Sequence, residues 1–202
     1  MSAANDSEAA RQTAIVDAAT GIFLRYGFKK TTMEDIARTV GISRQALYLH
    51  FPTKEAVFKA MVTRTLEAMR MEASAALARE DRDVEERLLG AFLALHGKSI
   101  GTEYLGELME TTIALIGPAF QEVEKAVVSE VADALGTAGI AARWNKAGVS
   151  ARDLAANLSV TSAGIKRSVT TPVEYLDRMR IAVRIVCWGA APEAASRSRR
   201  SS

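Results

Sequence analysis

Cysteine and histidine are scarce in this chain of 202 residues, and their scarcity limits the chemistry it can perform. Cys187 is the single cysteine, which excludes a disulfide within the chain and fits a reducing cytoplasm. His50 and His96 are the two histidines, and neither has the close His or Cys neighbours of a zinc site. The sequence also lacks a GxSxG turn, a Walker loop and a glycine-rich turn after a strand. We therefore expect no metal ion, no cofactor and no enzymatic activity.

Long apolar runs are missing as well. No stretch reaches the roughly 18 apolar residues that indicate a membrane span, and the polar N-terminal residues lack the apolar core of a signal peptide. We therefore expect a cytoplasmic protein with no membrane partner. Aromatic content is 6% against 49% hydrophobic residues, a balance that favours packed helices over sheets. The net charge of +2 is too small to indicate nucleic-acid binding by itself.

The strongest pattern lies in residues 31–54, which predict two short helices joined by a tight turn. Thr32 is placed to cap the first helix, and Gly41 can adopt the left-handed conformation that ends it. Ser43 is placed to cap the second helix, which should end just before Pro52 because proline disfavours helix in the residue before it. Two such helices form a helix-turn-helix, whose second helix lies in the DNA major groove.

Polar side chains on and around the second helix are the candidate DNA contacts. Arginine suits guanine, glutamine suits adenine, and a small alanine can lie against a thymine methyl group. Lysine at a helix N-terminus suits phosphate. The residues that we expect to contact DNA are Thr32, Ser43, Arg44, Gln45, Ala46, Tyr48, His50 and Lys54. The alternative interpretation is a solvated polar helix in an unrelated helical domain.

The motifs AAxxIFxxxGF, TTMEDIA, GIS and LYxHFPTKE follow one another in a single register within residues 11–58. This segment, about a quarter of the chain, resembles the DNA-binding domain of the TetR-type (tetracycline-repressor-like) transcriptional regulators. The resemblance implies a DNA-binding repressor that responds to a small molecule. It also implies a homodimer held by the final two long helices.

The remaining sequence predicts further helices and no strand. The helical pattern covers about 53–78, 83–97, 102–115, 118–135, 150–167 and 172–188, with a break at Gly117-Pro118. The expected fold class is all-α, with an N-terminal three-helix helix-turn-helix domain followed by a larger helical domain for ligand binding and dimerisation. We expect the first domain at 9–52, the second at 53–190, and disordered tails at 1–8 and 191–202.

The last predicted helix is apolar on more than one face, so it needs partners on most sides. One face can fill the chain's own core, and another can meet the same helix of a second copy across a two-fold axis. The alternative is a monomer that buries all of this surface. The residues that we expect at the dimer interface are Leu154, Leu158, Ser162, Tyr175, Ile181, Ile185 and Trp188.

A small-molecule site among the middle helices should be mostly apolar with few polar groups. The candidate wall residues are the larger or semi-polar side chains of that region, namely Phe92, His96, Tyr104, Met109, Thr112, Phe120 and Trp144. For each of them, a place in an ordinary core is the alternative. Because little charge recurs at helical spacing within the set, we expect a neutral, fairly lipophilic effector.

Three functions remain open at this point. The chain can be a ligand-responsive DNA-binding repressor, a small helical enzyme or carrier, or a helical adaptor that binds only protein. Salt dependence separates the first from the others, because phosphate binding weakens steeply as salt rises. The sequence favours the first: a dimer with recognition helices about 34–36 Å apart, whose effector stabilises a spacing that no longer fits DNA.

Overall fold

The computed structural model describes residues 3–189 of the chain. This part contains eight α-helices and two short 3₁₀ helices, joined by turns and loops. The α-helices are α1 (Ala3–Lys30), α2 (Met33–Val40), α3 (Arg44–His50), α4 (Lys54–Leu77), α5 (Val84–His96), α6 (Leu105–Thr137), α7 (Ala151–Ser168) and α8 (Pro172–Trp188). The 3₁₀ helices are Gly97–Ser99 and Ala141–Ala147. These residues include no strand, and the predicted all-α class is confirmed. The tail predicted at 191–202 lies outside the described residues.

Side-chain caps begin the helices where the sequence predicted them. The Thr32 hydroxyl accepts a hydrogen bond from the Asp35 amide, and the Asp35 carboxylate accepts one from the Thr32 amide. Ser150 forms the same reciprocal box at the start of α7. Thr171 caps α8, whose first residue is Pro172. Each of these caps satisfies amide groups that a helix N-terminus otherwise leaves without a partner.

Two elements differ from the boundaries that the sequence predicted. Helix α1 begins at Ala3, so it extends through most of the stretch 1–8 that the sequence predicted as a disordered tail. The predicted break at Gly117-Pro118 is a kink inside α6, with φ −139° and ψ 25° at Ile116. Proline removes one backbone hydrogen bond and crowds the preceding turn, which bends the helix without ending it.

The chain divides into two compact units. The first contains residues up to Met69 together with Gly101–Glu124, and the second contains Arg70–Ile100 together with residues from Lys125 onward. Helices α4 and α6 therefore contribute residues to both units. The predicted boundary at residue 53 separates a DNA-binding domain from a domain for ligand binding and dimerisation. Because the two compact units do not report on these functions, this boundary stays a prediction. None of the helices within 3–189 has both the length and the hydrophobicity that crossing a membrane requires.

An aromatic cluster holds the first unit together. The Phe23 and Phe58 rings meet edge to face with centroids 5.2 Å apart, and Phe28 meets Phe58 at 5.0 Å. Ile36 of α2 and Leu47 of α3 are fully buried in the same core. The cluster therefore fixes both short helices against α1 and the first turns of α4.

A buried tyrosine lies at the centre of the second unit. Tyr175 of α8 is fully buried, and its hydroxyl lies 2.7 Å from the Ser162 hydroxyl of α7. The same hydroxyl donates to the Phe92 carbonyl of α5 at 3.3 Å. These bonds join α5, α7 and α8 around one polar group that would otherwise be buried without a partner.

Candidate nucleic-acid interface

The turn between α2 and α3 has the geometry that a helix-turn-helix requires. Gly41 adopts φ 77° and ψ 30°, and the amides of Gly41 and Ile42 both donate to the Ala37 carbonyl at 3.0 Å. A side chain at Gly41 would meet nothing within 4 Å, so the left-handed backbone is what favours glycine there. Ser43 then caps α3 by accepting a hydrogen bond from the Ala46 amide at 3.0 Å.

Helix α3 is anchored along one side and open along the other. Leu47 is its single fully buried residue, whereas Ser43, Arg44, Gln45 and Tyr48 are exposed, as expected for the predicted DNA contacts. Ala46 is half-buried. This arrangement leaves the polar side chains of α3 free to meet another molecule.

Leu49 belongs to the same exposed surface and was not predicted. Its side chain is 84% exposed, the most exposed large hydrophobic residue among those that the structure describes. The sequence contained a signal for it, because Leu49 lies two residues after the buried Leu47 and so points away from the core-facing side of α3. An apolar side chain at this position can lie against a thymine methyl group.

Arg44 and Tyr48 form a pair on the exposed face. The Arg44 guanidinium donates to the Tyr48 hydroxyl at 3.2 Å and lies 5.5 Å from the centroid of its ring. The hydrogen bond to Tyr48 raises the pKa of Arg44 above its ordinary value. Arg44 and Tyr48, both candidates for contact with bases, are therefore held against each other on the exposed face of α3.

Three of the predicted DNA contacts, Lys54, His50 and Thr32, have partners outside α3. The Lys54 ammonium donates to the Phe28 carbonyl at 2.8 Å and to the Thr31 carbonyl at 2.9 Å. The His50 Nδ1 lies 2.7 Å from a carboxylate oxygen of Glu8, and the His50 side chain is only 10% exposed. Thr32 is exposed, but its hydroxyl donates to the Asp35 carboxylate, a bond that lowers the pKa of Asp35. These residues support the helix-turn-helix from inside the chain.

The start of α6 contacts the turn between α1 and α2. The Glu107 carboxylate accepts a hydrogen bond from the Lys29 amide at 2.7 Å. The Lys30 ammonium lies 5.4 Å from the centroid of the Tyr104 ring. Gly27, at φ 79°, lies directly beside both partners, since a side chain there would approach Glu107 to 3.0 Å. Residues far from α2 in the sequence therefore help to fix the turn that precedes it.

The predicted dimer-interface residues fall into two groups. Ile181, Ile185 and Trp188 of α8 are exposed, each by 60% or more of their surface. Val160 and Val173 are also exposed, at 74% and 69%, and were not predicted. The other predicted members are buried by 95% or more in the core of the second unit, namely Leu154, Leu158, Ser162 and Tyr175.

Those four residues are a correction to the predicted interface. Their side chains pack within a single chain, so they have no surface left to offer a second copy. The apolar period of α7 and α8 correctly marked them as buried, but it could not distinguish the chain's own core from a contact with another chain.

The candidate ligand-binding residues are divided between the two units. Tyr104, Met109, Thr112 and Phe120 belong to the first unit, whereas Phe92, His96 and Trp144 belong to the second. Several have partners of their own. Thr112 donates to the Leu108 carbonyl at 2.8 Å, and the Trp144 indole donates to the Val186 carbonyl at 2.9 Å.

An open groove of about 310 Å³ lies in the second unit, and it is lined by none of these seven residues. Its lining residues are Ala76, Arg79, Arg82, Glu86, Arg87, Leu89, Gly90, Leu93, Leu176 and Arg180.

His96 has an unusual environment within the second unit. Its Nδ1 is buried without a hydrogen-bond partner, and its ring meets Tyr175 edge to face at 6.1 Å. Burial, together with the charge of Lys166, lowers the pKa of His96 to about 3. The imidazole is therefore neutral at physiological pH. The Ser159 hydroxyl is likewise buried without a partner.

The helix-turn-helix segment matches a known family. Residues 15–61 match the family model described as bacterial regulatory proteins, tetR family, which confirms the resemblance found in the sequence. The match begins within α1, contains all of α2 and α3, and ends within α4.

Curated relatives match over part of the chain. The HTH-type transcriptional repressor Rv1474c of Mycobacterium tuberculosis is 38% identical over 69 residues, which are 34% of this chain and 37% of that protein. The HTH-type transcriptional regulator RutR of Escherichia coli K12 is 38% identical over 58 residues, 29% of this chain and 27% of that protein. The chain thus matches well under half the length of each of these relatives.

Solved structures match over most of the chain. The TetR family transcriptional regulator PfmR from Thermus thermophilus superposes with a TM-score of 0.63 at 18% identity, covering 86% of this chain and 96% of that one. A SmeT–triclosan complex superposes with a TM-score of 0.59 at 22% identity, covering 88% and 90%. Likeness at such low identity shows the fold, an N-terminal helix-turn-helix followed by a larger helical region.

Proposed function

Because this chain carries the DNA-binding segment of the tetR family of bacterial regulators, we propose that it is a ligand-responsive transcriptional repressor. In this proposal it binds a palindromic operator as a homodimer and is released by a small molecule. The observation that carries the proposal is the exposed polar face of α3, anchored by Leu47 within the segment that matches the family. The curated relatives that match part of the chain include transcriptional repressors.

The DNA contacts are proposed on the open face of α3. Arg44 and Gln45 carry the side chains that suit guanine and adenine, and both are exposed near the helix N-terminus. Ser43, Ala46 and Tyr48 add contacts to the backbone and to neighbouring bases. Thr32 acts through the cap that it forms at the start of α2, and His50 acts through its contact with Glu8 at the end of α3. Lys54, whose ammonium is held by carbonyl groups of the chain, is left out of these contacts.

The dimer is proposed through the exposed stripe of α8. Ile181, Ile185 and Trp188 are spaced i, i+4 and i+7, which places them along one side of the helix. Such a stripe of large apolar side chains is costly to leave in water, and a two-fold axis lets the same stripe of a second copy cover it. Val160 of α7 is likewise an exposed apolar side chain of the second unit. The four core residues Leu154, Leu158, Ser162 and Tyr175 are not part of this proposal.

The effector site is proposed in the second unit, with His96 as its polar wall. A neutral imidazole with an unpartnered nitrogen can accept or donate one hydrogen bond, depending on its tautomer, and the half-buried Trp144 of the same unit supplies apolar surface. Phe92 is fully buried in the core of that unit, so it is left out of this proposal. The compound is expected to be neutral and fairly lipophilic. One protein of the same fold has been solved as a complex with triclosan, which supports small-molecule binding by this architecture.

Release would follow from a shift between two states of the dimer. DNA is bound by the state in which two α3 helices fit successive major grooves, about 34–36 Å apart. An effector that binds the other state better by about 1–3 kcal/mol reduces operator occupancy. Helices α4 and α6 are the candidates for coupling, because each contributes residues to both units.

A salt series tests DNA binding against the alternative of an adaptor that binds only protein. The dissociation constant for a mixed-sequence duplex is measured between about 50 and about 300 mM salt. We expect log affinity to fall linearly with log salt, with a slope of about −0.9 for each phosphate neutralised. Absence of binding at the lowest salt, with the protein shown to be folded by circular dichroism, would contradict the proposal.

A further inference from the structure

Lys54 is the first residue of α4, and its ammonium group has three partners inside the first unit. It donates to the Phe28 carbonyl at 2.8 Å and to the Thr31 carbonyl at 2.9 Å. It also lies 4.3 Å from the centroid of the Phe28 ring. The side chain is half-buried. A lysine whose ammonium is solvated and available to bind phosphate would have none of these contacts.

The acceptors belong to the end of α1, where backbone carbonyls lose their helical partners. Gly27 leaves the helical conformation, with φ 79° and ψ 170°, and its own carbonyl accepts from the Thr31 hydroxyl at 2.7 Å. The Lys54 ammonium satisfies the carbonyls of Phe28 and Thr31. A lysine that is distant in sequence thus acts as a cap for the C-terminal end of α1.

The position of these bonds matters for the helix-turn-helix. Thr31 immediately precedes Thr32, whose cap with Asp35 begins α2. Phe28 packs against Phe58, and both belong to the aromatic cluster that fixes the start of α4. Lys54 therefore joins the first turn of α4 to the point at which the chain enters α2.

We propose that Lys54 is a positioning residue that fixes the α1–α2 turn against α4 and so sets the orientation of the helix-turn-helix on DNA. In this role it neutralises no phosphate, in contrast to the expectation from its place at a helix N-terminus. The inference rests on the proposed function, since orientation matters only if α3 reads DNA. A lysine that contacts phosphate and a lysine that contacts only the protein predict different effects of substitution on the salt dependence of DNA binding.

The experiment compares Lys54→Met with Lys59→Met, which removes the same charge from an exposed position of α4. Operator affinity is measured across a salt series at a temperature where circular dichroism shows each variant folded. We expect Lys54→Met to bind about tenfold more weakly or worse, because recognition groups displaced by more than about 0.5 Å lose their contacts. The slope of log affinity against log salt should match that of the wild type. Lys59→Met should bind within about twofold of the wild type.

Two results would overturn the proposal. A slope that becomes shallower by about 0.9 in Lys54→Met would show that Lys54 neutralises one phosphate. Unchanged operator affinity in a folded but less stable Lys54→Met would show a role in stability alone. If Lys54→Met does not fold, Lys54→Gln gives the same readings, because its amide still donates to one carbonyl but carries no charge.

A measurement without DNA separates this inference from the proposed function. Amide hydrogen exchange at Thr32 and Asp35 should be faster in Lys54→Met than in Lys59→Met, because loss of the two carbonyl bonds loosens the start of α2. Unchanged exchange would overturn the inference even if the chain binds DNA. Faster exchange in a protein that binds no duplex would instead contradict the proposed function and leave the turn contact standing.

Discussion

The Arg44 guanidinium donates a hydrogen bond to the Tyr48 hydroxyl at 3.2 Å, one helical turn along the exposed face of α3. The pair brings a charged donor with a fixed orientation to the surface where base contacts are proposed. Arginine in this setting suits the two acceptors of guanine, and the tyrosine limits the rotamers available to it. Their contributions to DNA binding should therefore depend on each other.

Substitution of Arg44 tests the proposed base contact. Arg44→Ala should weaken operator binding by about 1–3 kcal/mol and relax the preference at one base pair of each half-site, as expected for loss of a bidentate contact. Binding to a panel of single-base operator variants measures both effects. Arg64→Ala, on the exposed side of α4 and paired with Asp17, is the control that should leave the preference unchanged. An Arg44→Ala protein with the base preference of the wild type would remove this residue from the proposed site.

A double-mutant cycle tests the coupling between Arg44 and Tyr48. Tyr48→Phe removes the hydroxyl and keeps the ring, so it should weaken binding less than Arg44→Ala does. The double variant should be weaker than the wild type by less than the sum of the two single effects, with a coupling of about 0.5 kcal/mol or more. Additive effects would show that the two side chains act independently on DNA.

Replacement of the exposed α8 residues tests the dimer. Ile181→Glu and Ile185→Glu should give folded monomers, since both side chains are exposed in the single chain and a charge there disrupts only a contact with a second copy. Leu158→Ala is the matched core substitution, and it should cost about 2–5 kcal/mol of stability. Light scattering gives the mass, and circular dichroism reports folding. A wild-type mass near the 21.7 kDa of one chain at micromolar concentration would refute the dimer.

Much of the fold could be predicted because its signals are local. A cap such as Thr32 with Asp35, or Thr171 before Pro172, is complete within a few residues, and the sequence shows it directly. The helical period also marks buried stripes correctly, since it depends only on neighbouring turns.

The partners of individual side chains could not be predicted in the same way. Lys54 bonds to a carbonyl 26 residues away, and His50 meets a carboxylate 42 residues away. Tyr175 was predicted at the interface because the sequence does not show which groups its side chain meets. Its partners, the Ser162 hydroxyl and the Phe92 carbonyl, belong to other helices of the same chain. Such contacts depend on tertiary packing, which a pattern of local periods does not specify.

The buried imidazole of His96 predicts a pH dependence of stability. Its folded-state pKa of about 3 lies below the ordinary value of 6.5, so the unfolded chain binds a proton between these values and the folded chain does not. Stability should therefore fall as pH decreases through this window, by about 1–2 kcal/mol between about pH 6.5 and about pH 5. Urea unfolding at several pH values measures the effect.

A variant without the imidazole isolates this contribution. His96→Leu should flatten the pH dependence across the same window, because leucine does not titrate. Phe92→Leu, one turn earlier on α5, is the control that should lower stability by a similar amount at each pH value. A pH dependence that is equally steep in His96→Leu and the wild type would assign it to other groups.

The effector site predicts coupled stabilisation and release. A neutral lipophilic compound that binds the second unit should stabilise the protein by about 2.7 kcal/mol at roughly a hundred times its dissociation constant. The same compound should reduce operator affinity. Trp144→Phe, which loses the bond to the Val186 carbonyl, should blunt both effects, whereas Tyr104→Phe in the first unit should not. A compound that raises the melting temperature and leaves operator affinity unchanged would refute the coupling.

The central claim is that a dimer of this chain reads a symmetric DNA sequence through α3, and selection from a random duplex pool tests it most directly. The DNA retained by the protein is sequenced, and the mass of the complex is measured. We expect a palindrome whose half-sites are separated by one helical turn or a multiple of it, bound by an even number of chains. Retained DNA that shares no sequence, or a single unpaired half-site bound by one chain, would contradict the claim.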